Sequence, residues 1–256
     1  MADFERQTVA ARGATTAAVD AGLRSYMLQV YNYMTLGLGL TGVVAFFLNR
    51  LATTSDPTGA VAQIGSDLYL TSLGAAIYSG PLMWVIALSP LAFVLVLSFG
   101  IQRMSFATAQ LVFWGFAVAM GLSLSSIFAV YTGQSIARVF FITAGTFGAM
   151  SLWGYTTKRD LTSMGSFLIM GLIGLIIASI VNIFLASSAL AFGISVIGVL
   201  IFVGLTAYDT QKIKEMYLVS DDASTLGKKT IMGALRLYLD FINLFLMLLR
   251  LFGNRQ

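Results

Sequence analysis

Residues 235–253 read LRLYLDFINLFLMLLRLFG. Between Arg236 and Arg250 the stretch is almost wholly apolar, with one carboxylate, Asp240. About 20 apolar residues are enough to cross the hydrocarbon core of a bilayer as a helix. A charged group inside such a helix is costly and marks a functional candidate. The same stretch therefore reads as a membrane span and as part of a site.

The rest of the chain follows this pattern. Of 256 residues, 58% are hydrophobic and 10% are charged, and the mean hydropathy is +0.87. A soluble fold cannot hide that much apolar surface, so lipid must solvate much of it. Spans are expected at Tyr26–Leu48, Leu82–Ile101, Ala107–Ile127, Ile136–Tyr155, Met164–Phe184, Leu190–Tyr208 and Ile231–Leu251. The fold class is an all-α membrane protein, a bundle of seven transmembrane helices. Residues 1–25 are expected to form a polar, amphipathic lead-in, and residues 26–256 the transmembrane domain. The lead-in has scattered charges and no apolar core, so it does not read as a signal peptide. Pro81 suits a helix start and Pro90 a kink. Two longer loops are expected, Arg50–Ser79 and Lys212–Thr230.

Lysine and arginine set the orientation. With the N-terminus inside, the cytoplasmic side holds Arg6, Arg12, Arg24, Arg103, Lys158, Arg159, Lys212, Lys214, Lys228 and Lys229. The other side holds Arg50, Arg138, Arg250 and Arg255. The N-terminus is thus expected in the cytoplasm. The C-terminus falls outside if the seventh span crosses, and inside if it re-enters. The compact chain favours a bacterial inner membrane.

The chain has no cysteine and no histidine. Thiolate chemistry is excluded, and so are the usual zinc ligand and the usual near-neutral proton switch. Proton chemistry must come from carboxylates, lysine or tyrosine. Of the eleven carboxylates, only Asp209 and Asp240 fall at or inside a span. Asp209 lies in TAYDTQKIK, residues 206–214, at the cytoplasmic end of the sixth span. One loop joins the sixth and seventh spans, so the two carboxylates can meet. Two close carboxylates in a low dielectric do not both ionise easily and tend to share a proton. Their oxygens also suit calcium. Two carboxylates fall short of the about 6–8 oxygens calcium takes, so any site is weak and fits permeation better than storage.

A structural role is the alternative for each. Arg236 and Asp240 stand one helical turn apart, with Asn243 next on that face, which allows a salt bridge with polar support. Asp209 could pair with Lys212 or Lys214 in the headgroup region. Gln29, Asn32, Gln110 and Asn182 read as interhelical hydrogen-bond partners. Arg103 reads as a cytoplasmic anchor. Trp84, Trp114 and Trp153 read as belt or packing residues.

TAYDTQKIK together with LRLYLDFINLFLMLLRLFG resembles the signature of the Bax inhibitor-1 family. The resemblance implies seven helices with the seventh central, and a pH-sensitive calcium leak. It implies that Asp209 and Asp240 form the pH sensor and gate, and that Arg103 latches the closed state. Calcium is then the permeant ion, and no tightly bound cofactor is expected. Membrane lipid, calcium and another membrane protein are the expected partners; nucleic acid is not. Two other functions were weighed. A non-transporting regulator that binds another membrane protein, such as a protease, predicts that both Asp→Asn substitutions spare partner binding. An intramembrane aspartyl protease needs Gly-x-Gly-Asp, where this chain has Leu237-Tyr238-Leu239-Asp240. It also needs Pro-Ala-Leu, whereas the prolines here are Pro57, Pro81 and Pro90. No enzymatic activity is expected.

Overall fold

The computed structural model describes residues 2–58, 60–64 and 68–255, and of residues 2–18 the helical backbone alone. Seven helices are long and apolar enough to cross a membrane. They are α1 (Ala2–Ala52), α3 (Leu82–Gly100), α4 (Phe106–Leu124), α6 (Gly133–Thr156), α7 (Thr162–Leu185), α8 (Ser188–Glu215) and α9 (Ala223–Phe252). Two short helices, α2 (Ser72–Tyr78) and α5 (Ile127–Val130), lie in connections. Lipid leaves backbone groups no partner but each other, which is why helices carry the chain across.

α9 is the axis. It packs against α1, α4, α6 and α8, while α3 leans on α4 and α7 on α8. Most of α9 is buried, whereas α3 and α7 turn most of their surface outward. Leu237, Tyr238, Leu244 and Leu249 of α9 are buried in one core with Phe113, Phe116 and Phe147. The central seventh helix is therefore observed. α9 also runs unbroken, and its 30 residues span about 45 Å at about 1.5 Å per residue. After it, the Asn254 amide donates to Ser135 Oγ at 2.9 Å. Arg138 donates to the Phe252 carbonyl at 3.3 Å. Both partners stand at the start of α6, so α9 crosses the bundle and does not re-enter.

Small residues let helices touch. A methyl on Gly154 of α6 would overlap the Ala207 carbonyl of α8, and one on Gly121 of α4 would sit 2.8 Å from the Thr41 carbonyl of α1. Such close backbone approach is the main source of packing contact between helices in lipid.

Two expectations change. The Lys212–Thr230 loop shrinks, because α8 continues to Glu215 and α9 starts at Ala223. Helices do not stop where the apolar run stops; Asp222 caps α9 by accepting from the Ser224 and Thr225 amides at 3.0 and 3.3 Å. The backbone of α1 runs from the lead-in through residue 25 without a break. The Arg50–Ser79 loop holds a small sheet, β1 (Thr53–Thr54), β2 (Ala62–Gln63) and β3 (Tyr69–Leu70), with β3 central and antiparallel to both neighbours. α2 follows, capped by the Thr71 hydroxyl, which accepts from the Gly74 amide at 3.1 Å.

Candidate functional site

The site is built where α8 meets α9. α8 outlasts its apolar run, so Asp209 stands almost two turns inside its end, at about 3.6 residues per turn. Asp240 lies about 26 Å along α9 from Ala223, at about 1.5 Å per residue. The helices run antiparallel, and this brings the two side chains level. The carboxyl groups of Asp209 and Asp240 lie close enough to act on each other electrostatically. Two carboxyl groups this close in a low dielectric do not both ionise easily and tend to share one proton. Asp240 is 5% exposed, and its Oδ2 has no hydrogen-bond partner. A buried polar atom left open in this way costs free energy unless the site uses it.

The structural alternatives are not what the side chains do. Among the described residues the ion pairs are Lys212–Glu215 and Lys229–Asp221. Arg236 therefore makes no salt bridge with Asp240, although its charge acts on both carboxyls. It is exposed, while Leu235 and Leu237 beside it are buried. Arg236 thus stands exposed one turn from Asp240. Lys212 pairs with Glu215, and Lys214 donates to the Tyr155 carbonyl at 2.9 Å, so neither neutralises Asp209. Asn243 donates to the Leu239 carbonyl of its own helix at 2.8 Å and lends Asp240 no support. Arg103 sits exposed in the turn after α3, and among the described residues it forms no ion pair.

The walls of the site are polar in ways the sequence reading missed. The Thr210 hydroxyl, next to Asp209, donates to the Thr206 carbonyl at 2.7 Å. Ser151 of α6 lies 2.9 Å from it, and Tyr31 of α1 lies 2.6 Å from Ser151. With the Thr210 proton committed, Ser151 donates to Thr210 and Tyr31 donates to Ser151. Gln211 accepts from the Leu161 amide at 2.9 Å and donates to the Arg159 carbonyl at 2.8 Å, which pins the α6–α7 turn onto α8. Two residues before Asp240, Tyr238 meets Thr41 at 2.6 Å and Phe116 edge-on at 4.9 Å. The only advance signal for these groups was a hydroxyl at one-turn spacing, at Thr206 and Thr210.

Of the other polar residues, Gln110 donates across to Tyr33 at 2.9 Å, as expected. Asn182 instead closes the turn after α7, accepting from the Ser187 amide at 3.1 Å. Gln29 and Asn32 lie on the exposed face of α1. Among the described residues no group of three or more metal-ligating side chains is present. That leaves the Asp pair without a third carboxylate among the described residues.

A family model described as Inhibitor of apoptosis-promoting Bax1 matches residues 23–256. The chain is 51% identical over 237 residues to the uncharacterized protein RP147 of Rickettsia prowazekii, covering 93% of this chain and 92% of that protein. It is 49% identical over 240 residues to the inner membrane protein YbhL of Escherichia coli, covering 92% and 94%. A protein of Caulobacter vibrioides is 46% identical over 259 residues, covering the whole of both chains.

Proposed function

The chain belongs to the Bax inhibitor-1 family, and from that premise we propose that it is a proton-gated calcium leak across the membrane. The observation that carries this reading is the closeness of the Asp209 and Asp240 carboxyls. A shared proton holds α8 and α9 together at that point. Its loss leaves two carboxylates facing each other, and their repulsion in a low dielectric drives the helices apart. Water and a hard cation then enter between the separated helices, past the exposed Arg236. Asp209 and Asp240 act as sensor and gate and offer calcium a brief foothold. Arg103 is the candidate for a latch formed in another state. No enzymatic step and no resident cofactor belong to this reading.

The Lys/Arg distribution supports an N-terminus in the cytoplasm. A relative named as an inner membrane protein supports a bacterial inner membrane as the location.

The test is calcium entry into proteoliposomes holding the purified protein, from about pH 6 to about pH 8, the range where a shared proton is at stake. Flux is expected to rise with pH, by no more than about tenfold per pH unit if one proton is lost per opening. Asp209→Asn and Asp240→Asn are each expected to flatten that response. Absence of protein-dependent flux at every pH overturns the leak and moves the reading to a regulator that binds another membrane protein.

A further inference from the structure

A groove opens between α1 and α6 at the lysine-rich end of the bundle. Its volume is about 450 Å³, and Arg24, Leu28, Tyr31, Phe147, Gly148 and Tyr155 are among the residues that line it. That size lies within the about 300–1,000 Å³ of sites that hold small ligands. From Arg24 to Met34 the groove follows α1 for about 15 Å, at about 1.5 Å per residue. This is half of a hydrocarbon core about 30 Å thick, so the groove occupies one leaflet.

Three features define what fits. The walls are apolar and open sideways between two membrane-spanning helices, so lipid is the medium outside. The polar atoms of the floor are already used, because Tyr31, Ser151 and Thr210 form one chain of hydroxyls ending on the Thr206 carbonyl. A polar solute would find no open donor there. The rim is cationic: Arg24 lies at the mouth, is exposed, and among the described residues has no ion-pair partner. No carboxylate lines the groove. Basic pockets between transmembrane helices are where anionic headgroups bind.

We propose that this groove is a binding site for an anionic phospholipid, with one acyl chain along Met34 and Phe147 and the phosphate at Arg24. Gly148 makes the space. A Cβ on Gly148 would meet nothing within 4 Å, so a larger side chain there enters the groove without striking protein. A Cβ on Gly145 likewise meets nothing within 4 Å, but Gly145 does not line the groove. The bound lipid lies against the hydroxyl chain that ends beside Asp209, and it separates α1 from α6 on one side of α9.

The proposal does not depend on calcium transport and is tested by binding alone. Delipidated full-length protein is titrated with phosphatidylglycerol or phosphatidylcholine of the same acyl chains, and bound lipid is counted by native mass spectrometry. One phosphatidylglycerol is expected, favoured by at least about fivefold, the size of one cation–headgroup attraction near a membrane surface. Arg24→Gln is expected to retain lipid and lose the preference. Gly148→Phe is expected to lose the site, and Gly145→Phe to keep it. Equal binding of the two lipids by the unsubstituted protein overturns the proposal. So does unchanged phosphatidylglycerol binding by Gly148→Phe, or its loss in Gly145→Phe.

Discussion

Tyr238 and Thr41 carry a buried hydrogen bond whose two ends are unequal. Thr41 also donates to the Ala117 carbonyl at 2.8 Å, so the shared proton between the pair comes from Tyr238. Tyr238→Phe removes the donor and leaves Thr41 with its other bond. Its expected cost is about 1 kcal/mol, the net worth of one hydrogen bond. Thr41→Val strands the Tyr238 hydroxyl in the core and is expected to cost more, about 1–3 kcal/mol. Thermal unfolding in detergent reads the order, and a reversed order would contradict the assignment of the donor. Asp209 and Asp240 were legible in the sequence because carboxylates are rare in apolar runs. Tyr31, Ser151 and Thr210 were not, because hydroxyls are common in spans and satisfy themselves on carbonyls one turn back. Only the packing of α1, α6 and α8 turns them into a chain. The failure of Asn243 has the same origin, since an amide free to bond its own helix need not serve its neighbour.

At the ends of elements the sequence misleads more often, for a physical reason. Hydropathy marks where lipid ends, whereas capping marks where a helix ends. α7 closes on Ala186, which adopts a left-handed conformation with φ 48°. That conformation costs a residue with a Cβ about 1–2 kcal/mol, and glycine avoids the cost. Ala186→Gly is therefore expected to raise thermal stability; a loss of stability would show that the turn is held by something other than backbone strain. At the start of α9 the Thr225 hydroxyl, followed by the Thr225 and Ser224 amides, holds the Asp222 carboxyl below its ordinary range. A depressed carboxylate stabilises the folded state above its unfolded value, about 3.9, and that help is lost as pH falls through the lower folded value. Protection of the Ser224 and Thr225 amides against exchange is thus expected to weaken in acid, below about pH 3.9. Asp222→Ala is expected to lack that pH-dependent step.

For the whole molecule, the seven-span bundle was readable from composition and spacing, because lipid imposes length and polarity on every crossing. Which helix occupies the centre came from a family resemblance, and the structure agrees. Apolar length alone could not have shown it, since α3 and α9 are both long and apolar enough to cross. Closeness of backbones was equally invisible, since a glycine in a span does not announce its partner. Gly154→Leu is expected to push α6 from α8, lower thermal stability and disturb the Ser151–Thr210 bond, whereas Gly174→Leu, with nothing within 4 Å of its Cβ, is expected to be tolerated. Equal tolerance at both positions would mean that α6 and α8 can separate freely.

The central position of α9 bears on how the protein is made. The other six spans, four of which pack against it, precede it in the chain. Ribosomes add roughly 5–20 residues per second, so those six enter the bilayer before α9 has been translated. Until then Phe116, Phe147 and Leu205 have no α9 to pack on, and Asp209 waits without its partner carboxyl. The nascent bundle must hold an open slot, filled by lipid or an insertase, and maturation is the moment when α9 displaces that occupant.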